Sequence, residues 1–207
     1  LFFLLIRRPP ISTLFPYTTL FRSPKYGNDD DYADDIMVSV FNEYKDYITG
    51  RPTTRGGVYH VDMLPTTCHV YFGDVMIASP NGRLSHIPLS EGISPEKGAV
   101  IYGPTAVVKS CSKMNHCETG GTLLNQKFTP AAIAGEKGID NLAALIRSYF
   151  AMNGHHMQFN VIDRQTLIEA QKNPEEYKEL IVRVAGYSDY FRNLDKPLQN
   201  EIGRAHV

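Results

Sequence analysis

The segment from His155 to Ala185 constrains the fold more than any other part of the chain. It begins with HHMQFNVI, an alternating run typical of a strand, and continues with the helical pieces DRQTLIEAQKN and NPEEYKE before a second strand, LIVRVA. A strand, a helix and a strand within about 30 residues form a βαβ unit. We therefore predict that residues 155–162 and 180–185 lie parallel in one sheet, joined by a right-handed crossover.

Helices are predicted on both sides of this unit. The first starts at Asn28 or Asp29, stops at Gly50 and is amphipathic, with apolar residues three to four positions apart. Those residues are Tyr32, Ile36, Val40, Tyr44 and Tyr47. DNLAALIRSYFAMNG predicts a second helix capped by Asp140, and residues 194–202 outline a final amphipathic one.

The remaining stretches indicate strands and one long connection. HVDMLPTTCHVYFG, residues 60–73, is predicted as β-rich with a bend at Pro65, and GGTLLNQKF as a strand. Residues 79–104 are rich in proline and glycine and indicate a long ordered loop, a feature that is usually functional when it is ordered. These elements together predict an α/β fold.

Charge and cysteine content exclude several classes of partner. The 21 basic and 22 acidic residues give a formal charge of −1, so the chain has no field to attract nucleic acid or an anionic membrane. Cys68, Cys111 and Cys117 have no disulfide framework and no zinc-site spacing, so we predict a cytoplasmic protein without a metal site. The opening apolar run, LFFLLI, is too short for a membrane span.

The two ends resemble translated sequencing adapters. STLFPYTTLFRS occupies residues 12–23, and EIGRAHV occupies residues 201–207. We therefore predict that residues 1–23 and 203–207 are foreign to the protein and that residues 24–202 are native.

Gly186, in IVRVAGYSDYF, has two interpretations on local pattern alone. A glycine directly after a strand permits positive φ, so it can simply end an element before an aromatic turn. Phosphate-binding patterns are absent from the glycine-rich pieces GPTAVVKS and TGGTLLNQK, and the nucleophile motif GxSxG is also absent. Gly186 is therefore either a turn residue or the functional residue itself.

RVAGYSDYF resembles the signature of the glycyl radical enzymes, the family that includes pyruvate formate-lyase. The likeness continues through segments in the same order: YGNDDDYAD, LPTTCHVYFG, SPNGR, LSEGISPEKGA, GPTAVVKSCSKM, GGTLLNQKF, IRSYFAMNGHHMQFNVID and NPEEYKELIVRVAGYSDYF. The resemblance implies that residues 24–202 form the C-terminal part of an α/β barrel, incomplete here, with a glycine radical domain at about 79–202. Val100–Tyr102 departs from it, being apolar where a polar stretch is expected.

The resemblance implies that Gly186 stores a radical on its α-carbon. A planar centre there conjugates with the peptide groups on both sides, and the missing Cβ also allows another group to approach closely. No cofactor is expected to be bound, because an S-adenosylmethionine iron-sulfur activating enzyme abstracts the hydrogen in this family. The residues expected to be recognised by that enzyme are Arg183, Val184, Ala185, Tyr187 and Ser188.

The resemblance favours the eliminase branch, which dehydrates small hydroxylated substrates such as hydroxyproline. It implies that Thr66 and Thr67 lie on a barrel strand facing the substrate, and that the intact parent is a homodimer. The family's Cys-x-Glu motif is not found in the chain, and neither Cys68 nor Cys117 takes its place, so we expect the chain alone to be inactive. There are two alternatives. The parent has formate C-acetyltransferase activity, or the chain is a short spare-part protein that donates a glycyl radical domain to a damaged enzyme.

Overall fold

The computed structural model describes residues 23–79 and 81–204. Residues 1–22 and 205–207, which include most of the predicted foreign ends and the opening apolar run, lie outside this range. Among the described residues, no helix has the length and apolar character needed to cross a membrane.

The described chain is a mixture of helices and short strands. The α-helices are α1 (Asp31–Ile48), α2 (Cys68–Val75), α3 (Gly103–Ser112), α4 (Gly135–Ala151), α5 (Arg164–Lys172) and α6 (Lys196–Arg204). The strands are β1 (Asn125–Phe128), β2 (Gln158–Val161), β3 (Ile181–Arg183) and β4 (Ser188–Tyr190). Short 3-10 turns occur at His116–Glu118, Pro130–Ile133 and Phe191–Asn193.

The strands form two separate two-stranded sheets, and the described residues contain no barrel. β1 pairs with β2 in parallel, from Asn125 opposite Gln158 to Phe128 opposite Val161, and α4 is the crossover between them. β3 and β4 form an antiparallel hairpin. The predicted pairing of residues 155–162 with 180–185 is therefore wrong, because the βαβ unit lies one strand earlier in the chain.

Residues 60–73 also differ from the prediction of a β-rich stretch. Met63 makes one isolated bridge to Thr122, and the chain then turns into α2 at Cys68. Thr66 has φ +55°, which a strand does not contain, and the Cys68 N–H donates to the Pro65 carbonyl at 2.9 Å. β propensity is a weak preference that local turn geometry and tertiary packing override, which accounts for the error.

The predicted helices form, but their limits and faces differ. Asp30 caps α1, and α4 begins at Gly135 instead of Asp140. The predicted apolar face of α1, from Tyr32 to Tyr47, is between 51% and 70% exposed. The adjacent side is packed, because Met37, Phe41 and Ile48 form a second apolar stripe that meets the core. The helix α3 was not predicted, whereas α5 and α6 form within two residues of the predicted ranges 163–173 and 194–202.

In the part of the chain that the structure describes, the core consists of two hydrophobic clusters. The first joins α1, α3 and α4 and contains Phe41, Val61, Ile93, Val107, Val108, Cys111, Met114, Leu124 and Tyr149. The second lies beneath the β3–β4 hairpin and contains Leu123, Leu167, Ala170, Val182, Val184, Ala185, Phe191, Leu198 and Ile202. Leu123 and Leu124, adjacent in the chain just before β1, therefore connect the two clusters.

Candidate functional site

Gly186 lies at the corner of the β3–β4 hairpin. Arg183 is opposite Ser188 in the register, and the Val184 N–H donates to the Tyr187 carbonyl at 2.8 Å. This leaves a two-residue corner, Ala185 and Gly186, in which Gly186 has φ +77°. A positive φ at the second corner position is typical of a turn that requires glycine.

The corner is open on the side where a Gly186 side chain would point. Gly186 is exposed, and apart from Gly186 and its two chain neighbours no described residue has an atom within 4 Å of the position that a Cβ would occupy. The close approach expected from the missing Cβ therefore does not occur among the described residues. The requirement for glycine in this chain comes from the backbone torsion, not from crowding.

Three side-chain amides from the parallel sheet hold the hairpin; we call Asn125, Gln158 and Asn160 the amide clasp. Asn160 Nδ2 donates to the Arg183 carbonyl at 2.7 Å, and Asn160 Oδ1 accepts from the Arg183 N–H at 2.8 Å. Gln158 Nε2 and Asn125 Nδ2 both donate to the Val184 carbonyl, at 2.9 Å and 3.1 Å. Side chains thus satisfy the backbone groups that a continuous sheet would have paired.

The clasp reaches Gly186 directly and through Arg183. Gln158 Oε1 accepts from the Gly186 N–H at 3.3 Å and from Arg183 Nε at 3.2 Å. Arg183 Nη2 in turn donates to the Gly186 carbonyl at 3.0 Å, and Nη1 donates to Ser188 Oγ at 3.3 Å. Both peptide groups that flank the Gly186 α-carbon are therefore hydrogen-bonded within this network.

A half-buried carboxyl group, that of Glu91, lies next to the clasp. Glu91 accepts a hydrogen bond from Asn125 Nδ2, the same group that reaches the Val184 carbonyl. Burial raises the pKa of Glu91 to about 7, although the hydrogen bond from Asn125 opposes that rise. Glu91 and the clasp were not predicted, yet Gln158 and Asn160 alternate along one strand, so their amides share a face and give a visible signal.

The residues predicted to surround Gly186 differ in accessibility. Val184 and Ala185 are buried in the second cluster, whereas Tyr187 and Ser188 are exposed and Arg183 is half-buried. Only the last three therefore present side chains that a docking protein can contact in this conformation.

Thr66 and Thr67 occupy the turn before α2 instead of a strand. Thr66 is exposed, Thr67 is half-buried, and within residues 23–79 and 81–204 neither hydrogen-bonds to the hairpin. Cys68 begins α2 and is exposed, so its predicted place on a strand is also wrong. Across the same ranges, no group of His, Cys, Asp or Glu side chains is arranged to hold a metal ion.

Family comparisons agree with this architecture. The model described as "Glycine radical" matches residues 89–192, and the model described as "Pyruvate formate lyase-like" matches residues 17–73. The first match covers half of the chain and includes the hairpin. The chain belongs to the glycine radical family, which confirms the resemblance drawn from RVAGYSDYF.

Individual relatives narrow the class further. The chain is 67% identical over 181 residues to trans-4-hydroxy-L-proline dehydratase of Clostridioides difficile, covering 87% of this chain and 23% of the relative. It is 44% identical to (2S)-3-sulfopropanediol dehydratase of Klebsiella oxytoca, covering 86% and 22%.

Solved structures give the same result. Hydroxyproline dehydratase from Clostridioides difficile, with trans-4-hydroxy-L-proline bound, superimposes with a TM-score of 0.88 at 63% identity over 92% of this chain and 24% of that one. Glycerol dehydratase from Clostridium butyricum gives 0.88 at 46% identity over 91% and 24%. The chain thus spans about a quarter of the length of these relatives.

Proposed function

We propose that the chain is the radical-bearing region of a glycyl radical dehydratase and that Gly186 stores the radical. The observation that carries the proposal is 67% identity, over 181 residues, to a dehydratase of the family. The family match at residues 89–192 includes the exposed corner, and Gly186 is the glycine at its tip. We infer that the rest of the parent protein completes the α/β barrel and supplies the cysteine that forms the thiyl radical.

The chemistry of the corner supports Gly186 as the storage residue. Breaking a Cα–H bond homolytically transfers a hydrogen atom to an alkyl radical of the activating enzyme and leaves one unpaired electron on Cα. That electron delocalises into both neighbouring peptide groups, whose N–H and carbonyl are held by Gln158 and Arg183. Protein groups that fix these peptides therefore act on the radical without a bound cofactor.

The same geometry supports recognition of the hairpin by an S-adenosylmethionine iron-sulfur activating enzyme. Gly186, Tyr187 and Ser188 form the exposed tip of the hairpin, with Arg183 beside them. Val184 and Ala185 anchor that tip in the second cluster. We assign the first group to contact with the activating enzyme and the second to holding the hairpin in place.

Hydroxyproline is the proposed substrate of the intact parent, because the relative with 67% identity is named for that activity. The turn at Thr66 and Thr67 is exposed or half-buried, so its hydroxyl groups remain available for a polar substrate contact. Dimerisation of the parent is part of the same proposal. Formate C-acetyltransferase activity and the spare-part protein are the competing functions, and one experiment separates them.

The test uses a full-length chimera, in which residues 24–202 replace the matching quarter of the Clostridioides difficile relative. After anaerobic activation, we expect a glycyl radical doublet in electron paramagnetic resonance and dehydration of trans-4-hydroxy-L-proline. Gly186→Ala abolishes both. Gly56→Ala is the matched control, because Gly56 also has positive φ, +81°, and open space around its Cβ position.

Each outcome bears on a separate part of the proposal. An unchanged doublet in Gly186→Ala removes Gly186 as the storage site. A doublet without hydroxyproline turnover retains the storage site and removes the substrate, and acetyl transfer to formate in its place supports the competing activity. If residues 24–202 restore a cleaved relative when added as a separate chain, the spare-part function is favoured.

A further inference from the structure

Gln158 is the residue with the most direct hold on Gly186. Its side chain is almost fully buried, at 6% exposed, and all three of its hydrogen bonds go to the hairpin. Oε1 binds the Gly186 N–H and Arg183 Nε, and Arg183 Nη2 binds the Gly186 carbonyl. One carboxamide therefore controls, directly and through Arg183, the peptide groups on both sides of the α-carbon.

The torsion that this carboxamide maintains is unfavourable for a delocalised radical. A planar α-carbon conjugates with the preceding peptide only when its substituents lie in the plane of that peptide, as in extended backbone. At φ +77° the Cα–C bond stands close to perpendicular to that plane, so neither Cα–H bond has the best overlap with the peptide π system. Gly186 must therefore rotate about its N–Cα bond as the radical forms.

We propose that Gln158 is a positioning residue that holds Gly186 at a positive φ, at which its Cα–H bonds are poorly aligned for hydrogen abstraction. The hydrogen bond between Gln158 and the Gly186 N–H then breaks before the radical forms. This proposal rests on the proposed function, since it assigns the radical to Gly186. Rotation about N–Cα turns this peptide group relative to the one that carries the Gly186 carbonyl. Gln158 Oε1 holds the first peptide group directly and the second through Arg183, so its hydrogen bonds oppose the movement. The 3.3 Å separation makes it the longest of the three Gln158 contacts and the easiest to break.

The rest of the clasp allows the corner to rotate without loss of the hairpin. Asn160 binds both backbone groups of Arg183, and Asn125 shares the Val184 carbonyl with Gln158. Val184 and Ala185 also remain packed in the second cluster. Removal of the Gln158 amide therefore loosens Gly186 while β3 stays attached to β2.

Gln126 provides a matched control on the neighbouring strand. Its side chain is 8% exposed, close to the value for Gln158. Neither of its amide atoms has a hydrogen-bond partner within the described part of the chain. Gln126→Leu thus makes the same chemical change at similar burial without removing a hydrogen bond to the hairpin.

The experiment measures two properties of the full-length chimera for Gln158→Leu, Gln158→Glu and Gln126→Leu. The first is amide hydrogen exchange of the segment containing Gly186. Loss of one hydrogen bond predicts exchange about fivefold faster in Gln158→Leu. Gln158→Glu keeps the acceptor for the Gly186 N–H, and Asn125 still donates to the Val184 carbonyl, so its exchange stays slower than that of Gln158→Leu. Gln126→Leu matches the wild type. Unchanged exchange in Gln158→Leu, or equal acceleration in Gln126→Leu, overturns the proposal.

The second property is the initial growth of the radical signal during anaerobic activation. Gln158→Leu is expected to form the doublet about fivefold faster, in proportion to the lost hydrogen bond, whereas Gln158→Glu and Gln126→Leu do not. If the radical signal of Gln158→Leu grows at the wild-type rate or more slowly, the proposal that Gln158 restrains Gly186 is overturned. If the wild type gives no doublet, the proposed function fails along with the activation role, and exchange alone decides whether Gln158 holds the corner.

Discussion

Two regions of the molecule join elements that share no backbone ladder, and they use different chemistry. Between α1 and α3 the connection is ionic: Asp34, fully buried, accepts from Ser110 Oγ at 2.8 Å and from Lys113 Nζ at 2.7 Å. Lys109 adds an ion pair with Asp29 at 2.7 Å. Between β2 and β3 the connection is the neutral amide clasp.

The difference lies in what each connection can specify. Charges attract over a distance and tolerate changes in angle, which suits the docking of two helices. An amide presents a donor and an acceptor in fixed directions, so Asn160 replaces a strand partner for Arg183 on both of its backbone groups. A neutral clasp also fixes the peptide groups around Gly186 without adding a formal charge of its own. Stability is thus expected to depend on charge in the first region and on geometry in the second.

The largest effect is expected for Asp34→Asn, which breaks the ionic connection. Because it leaves Lys113 without its buried partner, unfolding free energy should fall by about 2 to 4 kcal/mol. Asp31→Asn is the control: Asp31 binds the same Lys113 at 2.7 Å, but its side chain is 87% exposed, so the loss should stay below about 1 kcal/mol. Urea unfolding measures both, and equal losses would contradict the assignment of a buried charge network.

A smaller effect on stability is expected when pH changes the protonation of Glu91, which is hydrogen-bonded to the clasp. A carboxyl pKa raised from 4.5 to about 7 means that the folded state holds the proton more tightly than the unfolded state. Stability should therefore fall as pH rises from about 4.5 to 7, by about 2 to 3 kcal/mol from this group. Unfolding curves of wild type and Glu91→Gln across that pH range isolate the contribution of Glu91 to stability. If the stability of the two proteins changes with pH in parallel, Glu91 makes no such contribution.

Gly154 tests close packing in the first hydrophobic cluster. An added Cβ would meet the ring of Tyr149, which is fully buried in the first cluster. Overpacking of this kind predicts that Gly154→Ala loses about 1 to 3 kcal/mol of unfolding free energy. Thermal unfolding checks the value. A neutral result would mean that the Tyr149 ring moves aside at no cost.

Sequence periodicity predicted most helices because a 3.6-residue repeat is a local property. It did not identify the packed side of α1, which has apolar residues on both faces, so the tertiary neighbours determine which face is buried. Strand pairing failed for a related reason. The chain offers strand, helix and strand twice in succession, and pattern alone does not show which pair is adjacent.

The candidate site divides in the same way. Gly186 was predicted because RVAGYSDYF is contiguous, and the positive φ agrees with a corner glycine. The amide clasp was not predicted, because Gln158 and Asn125 lie 28 and 59 positions along the chain from their hydrogen-bond partners in the hairpin. Thr66 and Thr67 were placed on a strand by the β-rich pattern of residues 60–73 and by the family resemblance, but Thr66 adopts the left-handed conformation in a turn.

The smallest effect is expected for Gly186→Ala, and it gives the sharpest contrast with Gly154→Ala. No atom of the described chain obstructs a Cβ at Gly186, so the cost is only the positive φ, about 1 kcal/mol. The fold already tolerates that conformation at Asp29, His86 and Asn153. Unfolding of the two alanine variants under one set of conditions measures the difference. If Gly186→Ala loses as much stability as Gly154→Ala, the corner is not open. If it stays folded, its missing radical signal reports lost chemistry instead of lost structure.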